Sequence, residues 1–117
     1  MAVDPLLDAR ARVLRDLHAT GAATPASVSA LEVAVTERRW WVGQWESGVR
    51  FAAGLVAQDV QDALLEDVGR WPLCPLCAEA THALYIHPEI GGPDPVWVCE
   101  ETSREVAPLG SLIPPTR

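Results

Sequence analysis

The sequence predicts an α+β domain with the element order helix, β-hairpin, helix and C-terminal two-stranded hairpin. Apolar residues recur at helical spacing in two stretches, near 6–17 and 49–68, and alternate with smaller or polar residues between 31 and 36. Eight of the ten prolines follow residue 71, where they exclude a long helix and favour short strands and turns. A length of 117 residues suits one domain, 1–117, which we divide into an α/β core segment 1–70, a C-terminal segment 71–113 and a tail 114–117.

The first helix is predicted over DPLLDARARVLRDLHATG. Asp4 can cap it, Pro5 suits the first helical position, and Gly21 is a plausible stop. His18 lies beside the apolar stripe, and we interpret it as a helix-end or partly buried histidine rather than a ligand. The stripe consists of Leu6, Val13, Leu14 and Leu17.

The next stretch, ALEVAVTERRWWVGQWESG, admits two interpretations. The alternation and the β-branched and aromatic content favour a β-hairpin with strands near 31–36 and 40–45. Thr24-Pro25 would also start a helix well. In a hairpin Trp40, Trp41 and Trp45 cannot all face one side, so they are core aromatics or part of a binding surface.

The second helix is predicted over SGVRFAAGLVAQDVQDALLEDVG, with Ser47 as a possible cap and Gly69 as its end. Its apolar stripe contains Val49, Ala52, Ala53, Val56, Val60, Ala63, Leu64 and Val68. The opposite side is acidic, which indicates a solvated face or a docking face for a basic partner.

Charge and composition exclude several classes of function. Nine arginines and no lysine stand against sixteen acidic residues, and the net charge of −7 repels phosphate backbones. The N-terminus lacks the pattern of a signal peptide, and no apolar run is long enough to span a membrane. Three cysteines are an odd number for a disulfide framework, so we expect reduced thiols and a cytoplasmic location.

The C-terminal segment contains all three cysteines and two of the three histidines, in the stretches WPLCPLCAEATHALYIHP and VWVCEET. Cys74 and Cys77 form a C-x-x-C turn that can place two thiolates on one tetrahedral ion. A zinc ribbon would have a second C-x-x-C turn that begins at Cys99. Its fourth cysteine would stand three residues after Cys99, where this chain has Thr102. A histidine must therefore complete the site, and His82 needs a shorter loop back to the ion than His87. The predicted ligands of a structural Zn²⁺ in a zinc-ribbon-like hairpin are Cys74, Cys77, His82 and Cys99.

Three other interpretations of these residues remain open. A redox C-x-x-C would need its first cysteine at a helix N-terminus. A zinc hydrolase or deaminase could use the H-x-E of His87-Pro88-Glu89, although in deaminases that motif precedes the cysteine pair. The cysteines could also be buried without a ligand.

The stretch 58–112 resembles a pattern in small uncharacterised zinc-ribbon-like proteins of high-GC bacteria. That pattern runs from Gln-Asp through Trp-Pro-x-Cys-Pro, His-Pro-Leu and Trp-x-Cys-Pro to Ile-Gly-x-Leu. The matching positions are Gln58-Asp59, Trp71-Pro72, Cys74-Pro75, His82, Leu84, Trp97, Cys99, Gly110 and Leu112. Cys77 replaces a frequent histidine, and Ala83 and Glu100 replace prolines. The resemblance implies a ribbon-like metal end and favours His82 over His87 as ligand, and these proteins carry no established activity that could be transferred.

These observations predict a non-enzymatic zinc-binding adaptor or accessory protein that acts through a protein partner. The alternative is a nucleic-acid-binding zinc ribbon in which Arg38, Arg39 and Arg50 cluster beside the tryptophans, although the acidic balance opposes it. A metallo-enzyme that uses Glu89 is the third possibility. A homo-oligomer is also possible, and the sequence identifies no partner.

Overall fold

The computed structural model describes residues 4–77, 82–89 and 92–114. Within them lie three α-helices, a 3₁₀ helix and three strands, which confirms the α+β class. The elements are α1 (Pro5–Ala19), α2 (Pro25–Gln44), the 3₁₀ helix (Glu46–Phe51), α3 (Ala52–Asp67), β1 (Tyr85–His87), β2 (Val96–Val98) and β3 (Glu105–Pro108). No helix among the described residues is long and apolar enough to cross a membrane.

Helix α1 begins and ends where the sequence predicts. The Asp4 carboxylate accepts the backbone N–H of Leu6 at 2.9 Å, and Pro5 opens the first turn. Gly21 follows the last turn with a φ of +72°, a conformation that side chains with a Cβ disfavour. His18 lies exposed in the last turn, where it is a helix-end histidine.

The prediction of a β-hairpin over 31–36 and 40–45 is wrong, because residues 31–36 and 40–44 lie in α2 and Trp45 is its C-cap. Thr24 and Ser27 form a capping box with hydrogen bonds in both directions, and Pro25 follows the cap. Leu31 and Val35 are buried on one side of the helix, while Val33 between them is 55% exposed. The buried positions therefore follow the helical period, and packing outweighs the weak strand preference of valine and threonine.

Helix α3 begins later than predicted, at Ala52, and the 3₁₀ helix precedes it, so Ser47 is not its cap. Val49 and Val68, at the two ends of the predicted stripe, are exposed, whereas its centre is buried. Gly48 lies beneath two indole rings, and a Cβ there would be 2.8 Å from atoms of Trp41 and Trp45. This close approach explains why a glycine is needed in the turn between α2 and α3.

Trp40 and Trp41 of α2 and Trp45 at its C-cap do not belong to the buried core. Trp41 is half-buried and packs edge-on against Trp45 with ring centroids 5.4 Å apart, and Trp45 lies 5.9 Å from Phe51. Trp40 and Trp45 are exposed. The interpretation of these three residues as core aromatics is therefore wrong.

The strands form one antiparallel sheet in the order β1-β2-β3, which has one more strand than the predicted hairpin. Ile86 pairs with Trp97 across β1 and β2, and Trp97 pairs with Ala107 across β2 and β3. Trp97 is fully buried and packs edge-on against Trp71 at 5.6 Å. The central strand β2 is thus held against the helical layer.

A buried carboxylate joins the sheet to α1. Asp16 has no solvent exposure and accepts three hydrogen bonds from residues far along the chain. Its donors are the Trp97 indole N–H at 2.8 Å and the backbone N–H groups of Gly110 at 2.7 Å and Leu112 at 3.0 Å. Three donors satisfy a carboxylate that would otherwise be costly to bury. The bond from Trp97 ties β2, the strand that leads to Cys99, to α1, and the other two bonds tie the segment after β3 to the same helix.

Candidate metal centre

Two antiparallel segments bring Cys74 and His82 side by side. The Leu84 N–H donates to the Pro72 carbonyl at 2.7 Å, the Cys74 N–H donates to the His82 carbonyl at 3.1 Å, and Leu73 and Ala83 form a bridge between these bonds.

Helix α3 supports both segments through Gln61. Its side-chain amide donates to the carbonyls of Trp71 at 3.0 Å and Leu84 at 2.8 Å. Since one side chain holds both backbones, α3 fixes the position at which the two segments meet.

Cys99 follows β2, at the start of a tight turn into β3. The Cys99 N–H donates to the Arg104 carbonyl at 2.9 Å, and the Ser103 N–H donates to the Cys99 carbonyl at 2.8 Å. Ser103 closes the turn with a φ of 60°. Hydrogen bonding by Thr102 favours the thiolate form of Cys99 and lowers its pKa. Thr102 occupies the position where a ribbon would carry its fourth cysteine, and it supports Cys99 through hydrogen bonds.

The four predicted ligand residues converge in one group. The Sγ atoms of Cys74 and Cys77 are 3.9 Å apart, and those of Cys77 and Cys99 are 3.8 Å apart. The Nε2 atom of His82 lies 3.7 Å from the Cys99 sulfur, and all four ligand atoms lie within 4.8 Å of one another. Two sulfurs bound to one tetrahedral zinc at about 2.3 Å would be about 3.8 Å apart. The group could therefore hold a metal ion.

The thiols of the group have unequal pKa values. The pKa of Cys77 is raised to about 12, chiefly by burial and then by hydrogen bonds with Cys99 and Cys74. The pKa of Cys99 is lowered to about 6, chiefly by the hydrogen bonds from Thr102. Cys99 is thus more readily present than Cys77 as thiolate, the form that binds metals. A metal at this position would displace a proton from Cys77.

An acidic side chain lies beside the histidine. A Glu101 carboxylate oxygen lies 3.7 Å from Nδ1 of His82, while Nε2 of the same ring faces the Cys99 sulfur. The second carboxylate oxygen lies 3.7 Å from the sulfur of Cys77. A carboxylate beside the non-ligating nitrogen is the usual outer partner of a metal-bound histidine. The sequence interpretation did not identify this role of Glu101, because a turn of the backbone creates it.

His87 does not join the group. It lies exposed at the end of β1, and the metal-ligating side chains that the described residues bring together do not include it. The choice of His82 over His87 thus agrees with the geometry, whereas metal binding by the four residues stays a prediction. Cys74, Cys77 and Cys99 are all free thiols in the structure.

The family with the description "Domain of unknown function (DUF8819)" matches residues 2–109. The chain belongs to this family. The matched range contains all four residues of the metal group together with Asp16 and Glu101. No curated protein matches the chain. No solved structure matches it either.

Proposed function

We propose that Cys74, Cys77, His82 and Cys99 hold one structural Zn²⁺. The observation that carries this proposal is the convergence of three thiols and one imidazole nitrogen within 4.8 Å. Three sulfurs and one nitrogen suit zinc better than magnesium or calcium, which prefer oxygen ligands. The strands have only three or four residues each, so the sheet supplies few hydrogen bonds of its own near the group. The ion would link the turn after β2 to the segments before β1.

The proposed role of the zinc is structural rather than catalytic. Four protein ligands complete a tetrahedron, whereas a catalytic zinc keeps one position for water or substrate. Cys74 and Cys99 are buried, which further separates the ion from solvent. The H-x-E residues His87 and Glu89 are exposed and outside the group. This arrangement supports a protein without enzymatic activity.

We propose further that the protein is a cytoplasmic adaptor or accessory protein that acts by binding another protein. A net charge of −7 disfavours nucleic acid as the ligand. An exposed tryptophan is a favoured anchor of protein interfaces, and Trp40 is 68% exposed. Reduced thiols at a zinc site agree with a cytoplasmic location.

The arginines named in the nucleic-acid alternative are engaged within the protein. Arg38 forms a bidentate pair with Asp59 at 2.7 and 2.9 Å, which raises the pKa of its guanidinium. Arg39 lies 2.9 Å from the Asp4 carboxylate, and Arg50 lies over the ring of Phe51. Two of the three charges are therefore neutralised by neighbouring carboxylates, which weakens any attraction for phosphates.

Cobalt substitution tests the ligand set, because Co²⁺ bound by thiolates in a tetrahedral site has intense visible and near-ultraviolet absorption. We expect the wild-type protein to bind one Co²⁺ with this spectrum and to release it to Zn²⁺. His82→Ala should weaken binding and alter the spectrum, whereas the control His87→Ala should leave both unchanged. If His87→Ala has the larger effect, or if Co²⁺ stays octahedral, the proposed site is wrong.

Affinity capture tests the interaction function. The zinc-loaded protein is immobilised and native lysate is passed over it. The same protein partner should be recovered in replicate experiments, and nuclease treatment of the lysate should leave the yield unchanged. Failure to recover any reproducible partner would count against the adaptor role. Saturable, salt-sensitive binding of single- or double-stranded oligonucleotides would instead support the nucleic-acid alternative.

A further inference from the structure

An open groove runs along the outer side of helices α2 and α3. Val33 and Trp40 of α2 lie in it and are 55% and 68% exposed. One half of the groove contains Ala30 and Val33, the other contains Trp40, and the two halves share Glu37 and Asp59. We call this continuous surface the α2–α3 groove. Exposed apolar side chains that line one groove with a polar rim mark interaction sites more often than isolated ones do.

Trp40 is distinct from its neighbouring tryptophans. Trp41 and Trp45 pack against each other, and Arg38 lies 5.4 Å from the centre of the Trp41 ring. No ring contact between described residues involves Trp40. Its side chain thus contributes little to the packing of this fold, while its indole provides a large apolar surface with one N–H donor.

The spacing of the groove-lining positions of α2 fits a helix as the occupant. Positions 26, 30, 33, 37 and 40 of α2 follow one another at intervals of four, three, four and three residues. This is the spacing by which one helix packs against another with a small crossing angle. The buried side of α2 already packs on α1 and α3, so these positions form a second, outer seam.

The charge of the groove indicates the charge that its partner should carry. Its lining contains three carboxylates, from Glu37, Asp59 and Asp67, and one guanidinium, from Arg38, which gives a net charge of −2. Arg38 is held by Asp59, so Glu37 and Asp67 dominate the field at the rim. A second copy of this chain would bring two such acidic surfaces together, which is unfavourable. A basic helix would be attracted.

We propose that the α2–α3 groove binds an amphipathic helix of another protein, with an apolar seam flanked by Arg or Lys. Trp40 and Val33 contact the apolar seam, and Glu37 and Asp67 pair with the flanking basic side chains. This inference rests on the proposed interaction function and is independent of the zinc site. It names the surface and the chemistry of the partner.

The test is a selection from a displayed library of helical 18-residue peptides against the zinc-loaded wild-type protein. Seam positions vary among Ala, Val, Ile and Leu, and flanking positions vary among Arg, Lys, Glu, Asp, Gln and Ser, so the library presets no charge. Enriched peptides are then synthesised with a fluorescent label and their Kd is measured by anisotropy. The variants are Val33→Glu, Trp40→Ala and, as a matched control, Leu7→Glu, because Leu7 on α1 is also 55% exposed.

We expect enrichment of Arg and Lys at the flanking positions. The Kd should rise at least about thirtyfold in Trp40→Ala and Val33→Glu and less than about twofold in Leu7→Glu. The groove assignment would be overturned if no peptide is enriched, if the enriched peptides carry acidic flanking residues, or if they bind Val33→Glu as tightly as the wild-type protein. So would a dimer in sedimentation equilibrium that Val33→Glu dissociates. If a partner captured from lysate still binds Val33→Glu, the groove assignment fails while the interaction function stands.

Discussion

Removal of the buried carboxylate of Asp16 should strongly destabilise the protein. Asp16→Ala eliminates the hydrogen bonds from the Trp97 indole and from the N–H groups of Gly110 and Leu112. The Trp97 N–H would be left without an acceptor in a fully buried position, at a cost of about 1–3 kcal/mol. The hydrogen bonds from Gly110 and Leu112 to the charged carboxylate contribute about 1.5–3 kcal/mol each. Partial rehydration of the other two donors brings the expected loss of unfolding free energy to about 4 kcal/mol.

Urea denaturation of the zinc-loaded protein, followed by far-ultraviolet circular dichroism, measures this loss. With an m-value of about 1.5 kcal/mol/M, the midpoint should fall by about 2 to 3 M urea. The control is Asp8→Ala on the same helix, where Asp8 forms a partly exposed i,i+4 pair with Arg12 and should contribute less than about 1 kcal/mol. Equal effects of the two substitutions would refute the assignment of Asp16 as the anchor between α1 and the sheet.

Three further predictions concern the turn before α3 and the metal centre. Gly48→Ala places a Cβ 2.8 Å from two indole rings and should destabilise by about 1–3 kcal/mol in thermal unfolding, whereas Gly43→Ala, with open space around it, should not. Glu101→Gln removes the carboxylate beside His82 and should lower the Zn²⁺ affinity about tenfold in a competition with a chromophoric chelator. The control Glu100→Gln should leave the Zn²⁺ affinity unchanged. Zinc removal should speed hydrogen exchange of the Cys74 amide, which donates to the His82 carbonyl, while the amides of α1 keep their protection. Equally faster exchange in both places would contradict a local role of the metal.

The elements with local signals could be predicted from the sequence. The start and end of α1 follow from Asp4, Pro5 and Gly21, each of which acts within one turn of its own position. Helix α2 was mistaken for a hairpin because Leu31, Val33 and Val35 alternate, although only Leu31 and Val35 are buried. The cap at Thr24-Pro25 was the correct signal.

In the candidate site, too, features set by residues close in sequence could be predicted, and features set by residues far apart in sequence could not. The C-x-x-C turn and the preference for His82 could be derived from spacing, because a tight turn and a short loop limit which side chains can meet. The role of Asp16 could not, since its three donors lie 81, 94 and 96 residues away along the chain. The support of Cys99 by Thr102 depends on a turn with a left-handed Ser103, for which the sequence gives no strong signal.

The candidate metal group and the buried carboxylate are connected through the same strand. Asp16 holds Trp97 in the middle of β2, and Cys99 follows the end of that strand. The helical layer therefore positions one ligand through Asp16 and two others through Gln61, which supports the segments of Cys74 and His82. We infer that zinc would join turns that the helices have already brought near each other, so that the helical layer should persist when the metal is removed.

The most direct test of the account is the metal content of untagged protein purified without chelator, measured by elemental mass spectrometry together with a thiol titration. The account predicts one zinc per chain and three thiols that become reactive only after the metal is removed. A metal-free protein with an intact fold and three freely reactive thiols would contradict the zinc centre, and the three cysteines would then be redox-active or buried without a ligand.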